Sequence, residues 1–193
     1  GFARGVDWLL AAQVMLAGQR TVWSAQHHPL TAQPVAARKF EQVSLVSSES
    51  AAILQLLLDT VPQQAGVSHA LCAGVAWLQQ HQLRDKYWQR SSHGSRLIDK
   101  KGATTWARFY SLTTQQPVFF DRDGAVYQEV SALSLERQQG YGWYQTNANQ
   151  LLKAWAKQRA LQAQCDALHR PLAVGSPLAT PNALALGNWR SAD

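Results

Sequence analysis

Cysteine and long apolar runs are both scarce in this sequence. Cys72 and Cys165 are the only two cysteines among 193 residues, so any disulfide framework is minimal and a disulfide-dense scaffold is excluded. Neither has a Cys or His nearby at ligand spacing, which argues against structural zinc. Cys72 lies in the apolar run 70–73 and is predicted to be a small buried hydrophobic side chain. No stretch approaches the roughly 18 uninterrupted apolar residues of a membrane span, so we expect no membrane partner.

Acidic residues are also in the minority. The 12 Asp and Glu residues face 18 Lys and Arg residues, which gives a formal net charge of +6. A basic surface concentrates polyanions, and nucleic acid, an anionic membrane and an acidic polysaccharide fit this description equally. The hydrophobic content of 46% and the 8 Trp residues are ample for a packed core, so global disorder is excluded.

The first residues contain neither a Met nor a signal-peptide pattern and resemble the middle of a helix. We therefore expect the chain to be a fragment of a longer protein. Residues 1–168 are predicted to form one domain. Residues 169–193 are rich in Pro, Gly and Ala and are expected to be a loosely ordered tail.

Apolar periodicity predicts helices over residues 2–17, from Ser47 to Pro62, over 67–81 and over 147–168. The second and third are joined by a short turn and form a helical hairpin. Between the first two helices lies a long polar loop, and a loop of this length is usually functional or disordered. Residues 83–130 are predicted to hold brief strands among long loops, with a tight turn at residues 123–124.

Three arginines stand among aromatic residues in the second half of the chain. Arg108 lies in 106–110 (WARFY), Arg122 lies in 121–124 (DRDG), and Arg137 is followed by 140–144 (GYGWY). A guanidinium binds carboxylate through a planar fork, and aromatic neighbours can hold it in place. The near-regular spacing of the three suits a ligand with repeated carboxylates.

Structural salt bridges are the alternative for each arginine. Arg122 has Asp121 and Asp123 beside it, and Arg137 has Glu136. Three such arginines, together with Arg38 and the net positive charge, favour ligand binding over this alternative.

Several motifs carry a resemblance to a known family. These are the runs 21–27 (TVWSAQH) and 37–41 (ARKFE), followed by Ser44-Leu45 and Glu49-Ser50, and then WARFY, DRDG and the ER and GYxWY segments in the same order. Together they resemble the pectate lyases of polysaccharide lyase family 10 over residues 2–152. The chain would then be the C-terminal portion of the catalytic domain, and we expect this portion to be incomplete as an enzyme by itself.

This resemblance implies a mainly α-helical toroid of helical hairpins, beside a loop-rich lobe with short β-strands. It also implies calcium-assisted β-elimination on de-esterified pectin (polygalacturonate), by a secreted protein that we expect to be monomeric. Arg38 corresponds to the catalytic base. Arg108, Arg122 and Arg137 correspond to substrate-binding residues, and the rings of Trp106, Tyr110 and Tyr141 are further candidates for substrate contact.

The chemistry of elimination explains these residue types. The base must remove the weakly acidic C5 proton beside the uronate carboxylate, and positive charge stabilises the enolate-like intermediate. A guanidinium is almost wholly protonated at neutral pH, so an arginine base requires an alkaline optimum, a dense positive field or strong orientation. Glu41 could orient Arg38 or Lys39, or be a plain surface carboxylate.

The sequence also departs from the family. Ser24 stands where Cys is usual, His28 where Asp is usual, and Lys39-Phe40 where Ala-Tyr is usual. Calcium needs several oxygen ligands, but the sequence has no dense carboxylate cluster, so the metal ligands are unknown. Asp121 and Asp123 could contribute, although pairing with Arg122 is favoured.

Two other functions stay open at this stage. The departures from the family, and the lack of calcium ligands, would fit a non-catalytic protein that binds acidic polysaccharide and derives from such a lyase. A nucleic-acid-binding domain ranks last, because the sequence has no helix-turn-helix, zinc-finger or ribonucleoprotein motif. We therefore expect no nucleic-acid partner.

Overall fold

The computed structural model describes residues 1–64, 66–91 and 93–168. The predicted tail, residues 169–193, lies outside the described residues. Of these described residues, 40% are helical and 23% are in strands, and the strands form several small antiparallel sheets. None of the described helices is long and apolar enough to cross a membrane.

Six α-helices and one 3₁₀ turn are present in the described part. The helices are α1 (Phe2–Ala12), α2 (Ser47–Thr60), α3 (Val67–Gln80), α4 (Leu135–Gly140), α5 (Ala148–Trp155) and α6 (Arg159–Leu168), and the 3₁₀ turn is Val130–Ala132.

Nine strands pair as four antiparallel sheets over the same residues. The strands are β1 (Met15–Leu16), β2 (Gln19–Arg20), β3 (Leu45–Val46), β4 (Leu83–Gln89), β5 (Arg96–Ala107), β6 (Phe109–Tyr110), β7 (Phe119–Phe120), β8 (Val126–Tyr127) and β9 (Tyr144–Gln145). The sheet orders are β1-β2, β3-β6, β4-β5-β9 and β7-β8.

The predicted helical toroid is wrong. A toroid needs successive helical hairpins that bury their apolar faces against one another, and in the described chain α2 and α3 form the one such hairpin. The segment that follows is mostly extended because strands β4 and β5 pair over much of their length. Helices α5 and α6 return to pack on α2 and α3.

Two predicted helices are shorter than expected. Residues 15–20 form a β-hairpin instead of the end of the first helix, with Ala17 and Gly18 in the left-handed region at φ 48° and 77°. The last predicted helix is broken between α5 and α6. The helical hairpin of α2 and α3 is confirmed. The turn at residues 123–124 is confirmed as well, since it joins the paired strands β7 and β8.

A disulfide bond joins Cys72 of α3 to Cys165 of α6, with a Cα–Cα distance of 5.4 Å. Cys72 is buried as expected, but it is bonded and not a free hydrophobic side chain. The bond closes a sequence separation of 93 residues, which corresponds to about 4–5 kcal/mol in the chain-entropy account. The disulfide therefore fastens the last described helix to the helical hairpin.

The described residues contain two apolar clusters. The larger lies among the helices and includes Trp23, Leu71 and Trp106. The second is rich in aromatic residues and lies under the small sheets, with Phe109, Phe119, Phe120, Trp88 and Trp143 among its members. Adjacent residues of one segment serve the two clusters: Tyr110 belongs to the first and Phe109 to the second. The candidate site lies on the second cluster.

Candidate functional site

Arg38 opens a tight turn on the surface. The Ala37 N–H donates to the Glu41 carbonyl at 3.0 Å, and the Glu41 N–H donates to the Arg38 carbonyl at 2.9 Å. The Arg38 side chain is 67% exposed, and its Nε lies 3.4 Å from Oε2 of Glu41. The turn thus presents an exposed guanidinium beside a carboxylate that is largely covered.

The β7–β8 turn packs directly against this segment. Gly124 has a φ of 88°, and a Cβ built on it would lie 2.9 Å from the carbonyl oxygen of Lys39. The Gln42 amide also donates a hydrogen bond to the Gly124 carbonyl. Glycine at position 124 is therefore needed both for the backbone conformation and for the close approach of the two turns. This close approach brings Arg122 next to the turn that contains Arg38.

Three guanidiniums lie close to the Phe40 ring. The Cζ atoms of Arg122, Arg137 and Arg38 lie 4.9, 5.3 and 5.8 Å from its centroid. These distances are within the range of cation–π attraction, which is worth about 0.5–2 kcal/mol per pair depending on exposure. Phe40 thus holds together three like charges that would otherwise repel one another.

Tyr141 contacts Arg137 and a fourth arginine, Arg108, and links both to the same turn. Its ring lies 4.4 Å from Cζ of Arg137 and 5.1 Å from Cζ of Arg108, and its phenol donates to Oε1 of Glu41 at 2.8 Å. Burial, followed by the hydrogen bond to Glu41, raises the pKa of Tyr141 to about 12. The phenol is therefore protonated over the neutral range and acts as a donor. We call Arg38, Phe40, Arg108, Arg122, Arg137 and Tyr141 the arginine cluster.

Glutamates, and not the adjacent aspartates, are the ion-pair partners in this cluster. Arg122 forms a fork with Glu136, with hydrogen bonds of 3.0 and 2.7 Å. Hydrogen bonding between the two raises the pKa of Arg122 and lowers that of Glu136. Arg108 pairs with Glu49 of α2. The salt-bridge alternative from the sequence therefore holds for Arg122, but with a different partner.

Arg137 differs from the others because it is only 3% exposed. Its Nε donates to the Phe120 carbonyl at 3.1 Å, and its Cζ lies 4.8 Å from the Trp143 ring. Among the described residues, no acceptor lies within hydrogen-bond reach of its buried Nη2. Burial lowers the pKa of Arg137, and nearby charged groups modify it further. Buried polar groups are usually hydrogen-bonded, so Nη2 of Arg137 is a donor that the described residues leave unsatisfied, as they do Nε of Arg108.

Asp121 fastens the turn that carries Arg122. It accepts the Ser134 N–H at 2.5 Å, the Ser134 hydroxyl at 2.8 Å and the Arg122 N–H at 2.7 Å. Burial alone would raise the pKa of Asp121, but these hydrogen bonds and the charge of Arg137 together hold it below its ordinary value. Asp123 accepts the Ala125 N–H at 2.8 Å.

Calcium does not fit the described part of the chain. No group of three or more His, Cys, Asp or Glu residues there could hold a metal ion. Both carboxylate oxygens of Asp121 accept hydrogen bonds from Arg122 and Ser134, and Oδ1 of Asp123 accepts one from Ala125. Hydrogen bonds to Asp121 and Asp123 therefore stabilise the turn at residues 121–124.

The structure brings together Arg38, Arg108, Arg122, Arg137 and Tyr141 of the predicted site. It places the other two predicted residues in the helical core. Trp106 is 1% exposed and donates its indole N–H to the Leu78 carbonyl at 2.7 Å, and Tyr110 is also 1% exposed. The Tyr110 ring packs edge-on against Trp77 at 4.9 Å. Neither residue reaches the arginine cluster.

Two residues of the site were missed from the sequence as partners of the arginines. Phe40 was noted only as a departure from the family pattern, although its position two residues after Arg38 was a signal for aromatic support. Glu49 lies 59 residues from Arg108, and no spacing rule connects positions so far apart.

Comparison with known proteins gives a family and two structural relatives. The family described as pectic acid lyase matches residues 1–152. A family 10 polysaccharide lyase from Cellvibrio cellulosa is 35% identical, with a TM-score of 0.76, and the match covers 82% of this chain and 50% of that one. A mutant of that lyase in complex with trigalacturonic acid is 36% identical, with a TM-score of 0.75, over 80% of this chain and 49% of that one. The comparison with curated proteins gave no match. The chain thus spans about half the length of the solved lyases that it matches.

Proposed function

The chain belongs to the pectic acid lyase family, and we propose that it binds polygalacturonate and provides the base for its cleavage by β-elimination. The observation that carries this proposal is the gathering of three guanidiniums on the Phe40 ring, with Arg38 exposed at the edge. A polymer with a carboxylate on every sugar matches such a closely spaced set of cations. The relative in complex with trigalacturonic acid supports the same ligand class.

In the proposed reaction, Arg38 in its neutral form takes the C5 proton of a galacturonate unit. The electrons of that C–H bond form the C4–C5 double bond, the bond from C4 to the glycosidic oxygen breaks with its electron pair on the oxygen, and that oxygen takes a proton from solvent water to leave as a sugar hydroxyl. Arg122 and the buried Arg137 place positive charge near the carboxylate as negative charge develops on it. Glu41 holds Arg38 by its Nε side. Because the base must act in its neutral form, we expect the rate to rise with pH through the alkaline range.

We propose that calcium assists the reaction, but that the described residues do not hold it. The described residues offer no ligand set, so any calcium would be held by substrate carboxylates or by other parts of a longer lyase. We assign no step to it. We further propose that the protein is secreted and acts as a monomer. The disulfide supports secretion, because such bonds persist in oxidising compartments.

The test is an elimination assay on polygalacturonate at alkaline pH, with and without calcium, in which the unsaturated product is followed by ultraviolet absorbance. With the half of the solved relatives that this chain does not span restored, we expect product from the wild type and none from Arg38→Ala, with binding of polygalacturonate retained. Arg4→Ala, which removes an exposed arginine from α1, is the matched control and should behave as the wild type. Turnover by Arg38→Ala would refute the assignment of the base.

A non-catalytic polyuronate-binding protein is the second candidate. The absence of a metal-ligand cluster from the described residues favours it. Binding of polygalacturonate without any product, in either the presence or the absence of calcium, would select this function. Failure to bind polygalacturonate at all would reject both candidates.

A further inference from the structure

The hairpin of β4 and β5 carries a second group of cations outside the arginine cluster. Trp88 pairs with Leu97 and packs against Tyr144 at 4.9 Å, so one face of the hairpin covers the aromatic core. Successive side chains of a strand point to opposite faces. Tyr87, next to Trp88, is 42% exposed and therefore lies on the outer face.

Two cations flank Tyr87 on that outer face. Nζ of Lys100 lies 4.4 Å from the centroid of the Tyr87 ring. On the other side, Gln89 is two residues along β4, about 7 Å away, and it pairs with Arg96, whose Nε lies 3.5 Å from the Gln89 amide oxygen. The face thus presents an exposed ring between a lysine and an arginine.

A strained bulge sets the position of Lys100. The register of β4 and β5 shifts between Arg84 and Lys86, where Asp85 has a φ of 56°. Asp85 stabilises this bulge by accepting the Gly102 N–H at 2.6 Å, and Gly102 itself has a φ of 78°. Such strain costs about 1–3 kcal/mol and is typically found where it serves a function.

The acidic groups of the hairpin do not neutralise these cations. Asp99 pairs with Lys86 at 2.5 Å, and Asp85 is occupied by the bulge. In the part of the chain that the structure describes, neither Lys100 nor Arg96 has an ion-pair partner. Both are exposed. Their charges are therefore available to an anionic ligand.

We propose that the outer face of the hairpin is a second polyuronate-binding site, in which a sugar packs against Tyr87 and neighbouring carboxylates pair with Lys100 and Arg96. This inference rests on the proposed function, since it takes the same ligand. An apolar sugar face covers an aromatic ring, and the flanking cations match a carboxylate on each neighbouring unit. Because Tyr87 points away from the aromatic core, this site would hold the polymer apart from the arginine cluster.

The test compares Lys100→Gln with Lys101→Gln in a binding titration with long polygalacturonate. Both lysines are exposed in the same bulge, but of the two only Lys100 lies over the Tyr87 ring in the described chain. We expect Lys100→Gln to weaken binding by about fivefold and Lys101→Gln to leave it nearly unchanged. Equal losses in the two variants would show general charge attraction and overturn the proposal, as would no loss in either.

Tyr87 supplies the second arm of the test. Tyr87→Ala should weaken binding of polygalacturonate but not of polyglutamate, which has carboxylates and no sugar, whereas Tyr87→Phe should keep wild-type affinity for both. Equal losses for the two polymers in Tyr87→Ala would reject sugar packing, and a loss in Tyr87→Phe would show that the ring is not the contact. If the wild type itself does not bind polygalacturonate, the proposed function fails; if it binds and the hairpin variants match their controls, only this inference fails.

Discussion

The Tyr141 phenol donates a 2.8 Å hydrogen bond to Glu41, a residue 100 positions earlier in the chain. The other carboxylate oxygen of Glu41, Oε2, lies 3.4 Å from Nε of Arg38. One carboxylate thus joins the exposed guanidinium to a phenol whose ring supports two more arginines. The candidate base is therefore held by the substrate-binding part of the cluster.

We expect Glu41→Gln to lower kcat in the elimination assay by roughly tenfold, with little change in KM. The amide oxygen still accepts from Tyr141, but the charge that orients Arg38 is lost, and misorientation acts on the reacting step more than on binding. Glu41→Ala should be worse, because it also leaves the phenol without its acceptor. A change in KM with kcat unchanged would contradict a positioning role.

We expect Phe40→Leu to weaken polygalacturonate binding by roughly tenfold, the loss of about 1.4 kcal/mol. Without the ring, the three guanidiniums repel one another and spread. Phe40→Tyr keeps the ring face and should restore the affinity. Phe2→Leu, at an exposed position on α1, is the control for loss of an aromatic ring. Affinities measured over a range of salt concentrations would check this, and identical behaviour of Phe40→Leu and Phe2→Leu would refute it.

Acid should loosen the turn that carries Arg122. Since the folded state lowers the pKa of Asp121 below its ordinary value of 3.8, Asp121 stabilises the fold above that pH. This contribution is lost as the pH falls through the lowered value. Urea denaturation at several pH values should show Asp121→Asn less stable than the wild type at neutral pH, with the difference shrinking in acid. A constant difference at all pH values would argue against ionisation as the cause.

Reduction of the disulfide should lower the free energy of unfolding by about 4 kcal/mol, because the reduced chain regains the entropy of a long open loop. Denaturation with and without reductant measures this difference. The double variant Cys72→Ala/Cys165→Ala should match the reduced protein and respond no further to reductant. If the oxidised and reduced proteins unfold at the same denaturant concentration, the bond does not stabilise the fold.

Local sequence patterns predict some of the secondary-structure elements. The helical hairpin of α2 and α3 follows from apolar periodicity interrupted by Pro62, and the 123–124 turn follows from an Asp-Gly pair between apolar runs. For the long β4–β5 hairpin the sequence predicts only brief strands. Its charged outer face and its bulge interrupt the alternation of apolar and polar residues that indicates a strand. The first predicted helix was extended too far because Val14 and Leu16 fit a two-residue period as well as a helical one.

By itself, the sequence determined the family, because several of its motifs occur here in the family's order. It also identified four arginines and Tyr141, which the structure brings together in one cluster. Only the tertiary structure decided that Phe40, and not Trp106 or Tyr110, joins Tyr141 in that cluster. Trp106 and Tyr110 stand beside Arg108 in the chain, yet they are buried in the helical core, while the distant Phe40 and Glu49 meet the arginines. The physical reason is that Arg108 lies between the end of β5 and the start of β6, so the residues two positions before and after it need not share its face as they would in one continuous strand. The packing of separate turns and helices then decides which charges face each other.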